Sequence, residues 1–425
     1  MSEPGGLKKA IKLRNAVALY ASSVLGSGIL VLPGLAARIA GPGSLIAWIL
    51  LSVASFPFAF TFATMSSRRP ESGGVYSFAK EAFGRGVSTI TGWLFALWVI
   101  TGAPAVSLIA ASYLRYAFPL DRAETFIIAA GIIVVAFLIN FRGIVLSNKV
   151  QLATIASIFG LLLSAIVFSG FFVRTVNFTP IFPTGVIPVG TAAALIFWSY
   201  LGYENVSNVA EEFENPKRDF QRSIILSVVL IGALYVSISF VTIGTDAYRA
   251  GGSIAPFAAI LSNVLGRYGA AGAALLAVFI IFGAANAYTT GMSRVFYALA
   301  RDGGFPKTLG HLSDRKVPDR ALLLIPCLSL PVFVIYYFFN VNLETALLIP
   351  SGAAILVYVI GSASGVRILG IKNPEKTFLS KTFILPAISL VVSLIILPFV
   401  GWYLLASAAV ALSALLFIRY YGSSR

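Results

Sequence analysis

Glu204 is the one acidic residue set deep inside an apolar run of this chain, and it stands two residues after Gly202. A second unusual stretch, Gly26-Ser27-Gly28, lies in the middle of another apolar run, with Pro33 and Gly34 following shortly after. Glycine weakens a helix by about 1 kcal/mol relative to alanine. A carboxylate at mid-membrane depth costs on the order of 3 kcal/mol. Both stretches therefore predict breaks in helices, and a break frees backbone groups. The N-terminus of a half-helix offers N–H groups to an anion, and the C-terminus of its other half offers carbonyls to a cation. A zwitterion such as a free amino acid carries both charges. Taken singly, Gly26-Ser27-Gly28 also reads as close packing of small residues between helices.

Breaks of this kind need long apolar elements to hold them, and the composition supplies those. Of 425 residues, 58% are hydrophobic and only 11% are charged, too few to cover a soluble surface. The single cysteine excludes a disulfide framework. Charge-free stretches run over 15–37, 39–67, 86–114, 125–141, 150–173, 175–203, 223–245, 268–293, 321–343, 345–366 and 382–418. The last is long enough for two crossings and breaks at Pro398 and Gly401, which gives twelve spans. The stretch 250–266 is short and interrupted by Gly and Pro, and reads as an interfacial or re-entrant helix. No cleavable signal peptide is expected, because Met1 to Arg14 is polar and basic.

A formal charge of +15 often points to nucleic acid. Here the basic residues sit in short segments between spans. With the N-terminus inside, 25 of the 31 fall on the inner side. That asymmetry orients a multi-pass protein of the cytoplasmic membrane with both termini inside. Long apolar runs exclude a β-barrel, so the fold class is an all-α membrane protein.

The positions of the breaks matter as much as their number. They fall in spans 1 and 6, five spans apart, and matched broken helices in two halves of a chain mark the midplane site of a transporter. An enzyme would need a polar catalytic set at membrane depth. This chain has one histidine, His311, in a loop that reads as solvated, and no phosphate-binding G-x-x-x-x-G-K-[ST] run. No catalytic residues, metal ligands or cofactor are expected. Cys327 in span 9 reads as inert packing.

Four motifs together extend the picture. Gly26-Ser27-Gly28-Ile29, Glu71-Ser72-Gly73-Gly74-Val75-Tyr76, the run from Phe197 through Glu204 to Glu211-Glu212-Phe213-Glu214-Asn215-Pro216-Lys217-Arg218, and Ser293-Arg294 through Phe305-Pro306 lie in both halves of the chain. Jointly they resemble the amino acid–polyamine–organocation superfamily. The resemblance implies a five-plus-five inverted-repeat (LeuT-like) fold with helices 1 and 6 broken. Its parts would be a cytoplasmic segment 1–14, repeats 15–173 and 174–367, spans 11 and 12 over 382–418, and a tail 419–425.

The resemblance also implies a substrate carboxylate at the backbone of Gly26, Ser27 and Gly28 with Ser23 one turn back, and an ammonium at carbonyls near Val24, Trp198 and Leu201. Trp198 falls where relatives place an aromatic gate; Tyr288 and Ser351 fall near further pocket contacts. Ala103-Pro104-Ala105 and the loop Thr245-Asp246-Ala247-Tyr248 look most like bacterial exporters of methionine and branched-chain amino acids. The expected function is secondary transport of neutral, apolar amino acids. Exchange or export without ion coupling, and antiport of polyamines or cationic amino acids, stand as alternatives. The expected partners are a small amino acid and membrane lipid, with no nucleic acid.

Glu204 has two readings: proton coupling or gating, and a structural carboxyl that holds unwound backbone N–H groups. Proton-coupled relatives carry a span 5 lysine where this chain has Ser157 or Ile158, and sodium-coupled ones need span 8 hydroxyls where Gly283 and Ala284 stand, with Thr289 and Thr290 a turn later. Glu211, Glu212 and Glu214 precede Lys217 and Arg218 and read as a salt-bridge network or a solvated helix end.

Overall fold

The computed structural model of the chain describes residues 9–25, 27–71, 73–249, 256–341, 343–371 and 380–421. These form helices joined by short turns, and the only β pairing among them is an isolated parallel bridge between Ile11 and Phe213. In chain order the helices are α1 (Leu13–Val24), α2 (Ser27–Ala40), α3 (Ser44–Arg68), α4 (Val75–Phe83), α5 (Arg85–Ala117), α6 (Arg122–Phe141), α7 (Ile144–Gly170) and α8 (Ile187–Phe197). The second half holds α9 (Tyr203–Ser207), α10 (Pro216–Gly244), α11 (Pro256–Arg301), α12 (Asp319–Phe338), α13 (Leu343–Gly365), α14 (Lys381–Ile396) and α15 (Leu404–Tyr421).

Among the described residues, eight helical stretches are long and apolar enough to cross a membrane, against the twelve spans expected. One of the eight, Gly28–Arg68, runs through the turn Gly41–Gly43 and takes in parts of two expected spans. The outer face of the bundle is apolar: Val53, Ile127, Val229 and Leu405 are each more than two-thirds exposed. A soluble protein could not present such a surface, whereas a bilayer solvates it. Cys327 is also exposed on this outside, a correction to its expected place in packing; on its helix it faces away from the bundle.

Local signals fix where the helices start, bend and stop. Asp121 caps α6 in a capping box, accepting from the Glu124 N–H at 2.7 Å while the Glu124 carboxylate accepts from the Asp121 N–H at 2.8 Å. The short helix expected before span 8 meets it at Gly266, whose φ of 57° kinks α11. It folds back so tightly that a Cβ on Gly269 would lie 1.9 Å from the Leu261 carbonyl oxygen. The break expected between spans 11 and 12 is a 3-10 turn, Leu397–Tyr403, with Gly401 at φ 63°.

Inside, α3 packs along α10, and α5 lies along α11 and α13, so that α5, α11 and α13 wall one side of the molecule's centre. The other side is formed by the broken pairs α1/α2 and α8/α9.

Candidate functional site

Helix α1 stops at Val24, Leu25 leaves helical geometry with ψ 46°, and Ser27 opens α2. Gly26 and the side chain of Ser27 lie outside the described residues. The second break is longer. After α8 the chain makes a 3-10 turn, Trp198–Tyr200, then Leu201 is extended with ψ 141°, Gly202 takes φ 133°, and α9 begins at Tyr203.

The two breaks face each other at backbone distance. A Cβ on Gly28 would lie 2.2 Å from Ser199 Oγ and 2.9 Å from Ser199 Cα. A Cβ on Gly202 would lie 2.8 Å from the Ser23 carbonyl oxygen and 3.0 Å from Val24 Cγ2. Each glycine thus admits the other helix's backbone. Tyr235 of α10 bridges the pair, with its hydroxyl 2.7 Å from the Val24 carbonyl and 3.0 Å from the Ser199 carbonyl. One lone-pair direction at Val24 is already engaged by this hydroxyl, leaving a second for a ligand.

Glu204 is fully buried below the second break. Its Oε2 accepts from the Gly202 N–H at 2.9 Å and from the Tyr358 hydroxyl, and its Oε1 lies 3.4 Å from the Tyr288 hydroxyl. The carboxylate is therefore an acceptor for donors from the unwound backbone, α13 and α11. That arrangement does what a structural carboxyl must do, and it also ties the break to two other helices.

A cavity of about 60 Å³ lies between the breaks and the α5–α11 wall. Ser23, Val24, Gly28, Trp198, Leu201 and Tyr288 line it together, as do Trp98, Val99, Gly102, Ala103 and Val106 of α5 and Ala284 and Ala285 of α11. None of these side chains is charged. Ser23 Oγ donates to the Leu19 carbonyl at 2.8 Å. Ser351 is not part of the lining; its hydroxyl donates within α13 to the Leu347 carbonyl at 2.6 Å.

Besides Val99, Gly102, Val106 and Ala285 of the lining, three aromatic residues at this centre escaped sequence reasoning: Trp98, Tyr235 and Tyr358. Trp98 meets the Tyr288 ring edge-on at 5.4 Å and the Tyr358 ring at 6.4 Å. A signal did exist, since tyrosines in membrane helices favour the interfaces, whereas Tyr235 and Tyr358 sit in mid-run and need a partner for their hydroxyls.

The residues weighed for ion coupling lie as follows. Ala284 borders the cavity, and the Thr290 hydroxyl lies 2.5 Å from Asn140 Oδ1 and 2.8 Å from the Asn286 carbonyl oxygen, sharing its one hydrogen between them, in a buried junction of α6 with α11. The side chains of Ser157 and Ile158 lie outside the described residues.

The basic end of the bundle is closed beneath this site. Glu212 and Arg294 form a buried bidentate ion pair at 2.5 and 3.1 Å, each side chain 1% exposed. Arg218, which the sequence order offers to Glu212, lies instead 3.6 Å from Asp219, and Glu214 lies 3.9 Å from Lys12; the side chain of Lys217 lies outside the described residues. The Glu212 carbonyl accepts from the N–H groups of Ala10 and Ile11, both at 2.9 Å, and the Glu214 N–H donates to the Ile11 carbonyl at 3.1 Å. Ile11 is completely buried. The Gly73-Gly74 turn rests on the same segment, where a Cβ on Gly74 would lie 2.4 Å from Asn208 Oδ1. On α4, the Tyr76 hydroxyl donates to Asp302 at 2.7 Å; burial, and then that carboxylate, push its pKa well up, so it remains a donor. His311 Nδ1 lies 2.7 Å from Asp319 Oδ1 in the loop before α12.

A helical bundle with two broken helices facing across an apolar cavity defines a membrane carrier of small solutes. Over residues 11–421 the chain matches the family described as amino acid permease, and it belongs to that family. It is 32% identical over 420 residues to an uncharacterized amino acid permease of Bacillus subtilis, YecA, covering 99% of this chain and 97% of that one. It is 30% identical over 370 residues to the L-methionine/branched-chain amino acid exporter YjeH of Escherichia coli, covering 86% of this chain and 87% of that one. To the branched-chain amino acid permease BcaP of Bacillus subtilis it is 28% identical over 338 residues, covering 73% and 70%.

Proposed function

We propose that this permease is a secondary transporter of neutral, apolar L-amino acids in the cytoplasmic membrane, working by alternating access. The observation that carries the reading is the cavity itself. It opens onto the ends of both broken helices, and no charged side chain lines it. The α-carboxylate would sit at the N–H groups opening α2, at Ser27 and Gly28, and the ammonium at the carbonyls near Val24, Trp198 and Leu201. The side chain would then point toward Val99, Gly102 and Ala103. An unpaired guanidinium or ammonium there would lose its hydration without a compensating charge. The activities for which YjeH and BcaP are named support the same substrate class.

This reading takes the chain as twelve spans in two inverted repeats of five with both termini inside, with the helices too short or too broken to cross alone serving as the missing spans. The test is counterflow in proteoliposomes preloaded with unlabelled leucine, with a panel of competitors outside. Leucine and methionine are expected to inhibit uptake of labelled leucine at least about tenfold more strongly than arginine or lysine, the factor expected from about 1.4 kcal/mol of unpaired-charge cost. Arginine competing as well as leucine would overturn the assignment.

Glu204 is proposed as the coupling or gating group, with Trp198 as the aromatic gate over the cavity. Glu204→Gln retains a carbonyl able to accept the Gly202 N–H and removes the titrating group. The variant is expected to keep leucine counterflow while losing stimulation of net uptake by an imposed proton gradient. Full stimulation in the variant would exclude Glu204 as the proton carrier.

A further inference from the structure

A groove of about 400 Å³ lies on the outside of the bundle, away from the transport site, lined by Phe83, Ala363, Val366, Arg367 and Leu390. It lies where three elements meet. Phe83 ends α4, the short helix between α3 and α5; Ala363 is one turn before Arg367 at the end of α13; and Leu390 belongs to α14. The backbone at Arg367 is itself unusual, since Val366–Ile371 forms a π-helical turn, a geometry often kept for function.

The groove's chemistry changes with depth. Arg367 is exposed and lies over the Phe83 ring, 5.3 Å from its centroid, which holds the guanidinium at the rim. Arg68, the last residue of α3, donates to the Ile368 carbonyl at 3.2 Å and adds a second cation at the same turn. Glu81, the acid on the helix of Phe83, lies 3.6 Å from Arg69 and is engaged there. Below the rim the walls are apolar. Leu390 stands nine residues into α14 from Lys381, about 13 Å along the helix axis at 1.5 Å per residue. The groove thus combines a cation at its rim with apolar walls, as a phosphate joined to an acyl chain would need.

We infer that this groove seats an anionic phospholipid, its phosphate on Arg367 beside Arg68 and one acyl chain lying past Ala363 toward Leu390. A guanidinium matches phosphate geometry better than an ammonium, and basic pockets between membrane helices bind acidic headgroups. A zwitterionic lipid would bring its own cation against the two arginines. The site is separate from the amino acid cavity, so it could hold a lipid whether or not the proposed substrate is correct.

The test is native mass spectrometry of the purified full chain, taken from bilayers of equal phosphatidylglycerol and phosphatidylcholine, with retained lipids counted. The wild-type protein is expected to retain phosphatidylglycerol over phosphatidylcholine by about fivefold or more, the selectivity expected from one basic residue near the surface. R367Q, a surface substitution, is expected to lose that preference, and R367K to keep most of it. A363W, which fills the groove below the rim, is expected to reduce retained lipid of both kinds. Equal retention of the two lipids by the wild-type protein, or an unchanged preference in R367Q, would overturn the proposal.

Discussion

Gly202→Ala is expected to slow amino acid transport severely and to lower the melting temperature of the purified protein. Two independent costs meet at this residue. Its φ of 133° lies where a side chain is strained, at about 1–3 kcal/mol for a residue held in such a region. The added Cβ would also lie 2.8 Å from the Ser23 carbonyl oxygen and 2.9 Å from its carbon. Those are backbone atoms of α1, so no rotamer change relieves the contact. The break must open, and the Gly202 N–H must leave Glu204. Initial counterflow rates should fall by at least about tenfold, the equivalent of 1.4 kcal/mol. Gly28→Ala provides a partial contrast, because its nearest clash is with the side-chain Oγ of Ser199 at 2.2 Å, although the Ser199 Cα also lies 2.9 Å away. Adding Ser199→Gly should restore part of the activity of Gly28→Ala, whereas no side-chain trimming should rescue Gly202→Ala. A Gly202→Ala protein with wild-type counterflow would show that the two breaks do not need this approach.

The second large effect concerns Glu212 and Arg294. Arg294→Gln or Glu212→Gln alone leaves one charge buried with no counter-charge, at a cost of about 3–5 kcal/mol. Replacing both residues removes the unpaired charge as well as the pair. The double variant E212Q/R294Q is therefore expected to melt at a higher temperature than either single variant. The single variants should also expose the N-terminal segment to protease, because the Glu212 carbonyl accepts from Ala10 and Ile11. Thermal unfolding and limited proteolysis of the four proteins check both statements. Additive losses in the double variant would mean that the two charges do not stabilise one another.

Much of this architecture is legible in the sequence because membrane helices obey local rules. Gly26-Ser27-Gly28, Gly202 and the Pro398–Gly401 pair are each visible as punctuation in an apolar run, and each marks a place where the helix stops or turns. Six residues named for the pocket, from Ser23 to Tyr288, line one cavity. Partners far apart in the chain were not legible. Glu212 has basic residues five and six positions downstream, yet it pairs with Arg294, 82 residues away. Nothing local marks Tyr358 as the residue that donates to Glu204, or Tyr235 as the bridge between the two breaks. Such pairings follow from which helices pack together, and hydropathy carries little of that information. The twelve expected spans met the same limit, since a broken helix falls short of a full crossing on either side of its break.

The bridge between Ile11 and Phe213 also has a consequence for how the chain is built. Synthesis proceeds from the N-terminus at about 5–20 residues per second. Ile11 therefore waits on the order of 10–40 seconds at that rate for its partner, some two hundred residues later. Over that interval the nine helices α1 to α9 are made before the segment that precedes α1 can form this bridge. The bridge can form only after the second broken helix has been made, and the Glu212–Arg294 pair only after α11, so this end of the bundle is sealed in steps as the second half of the chain is added.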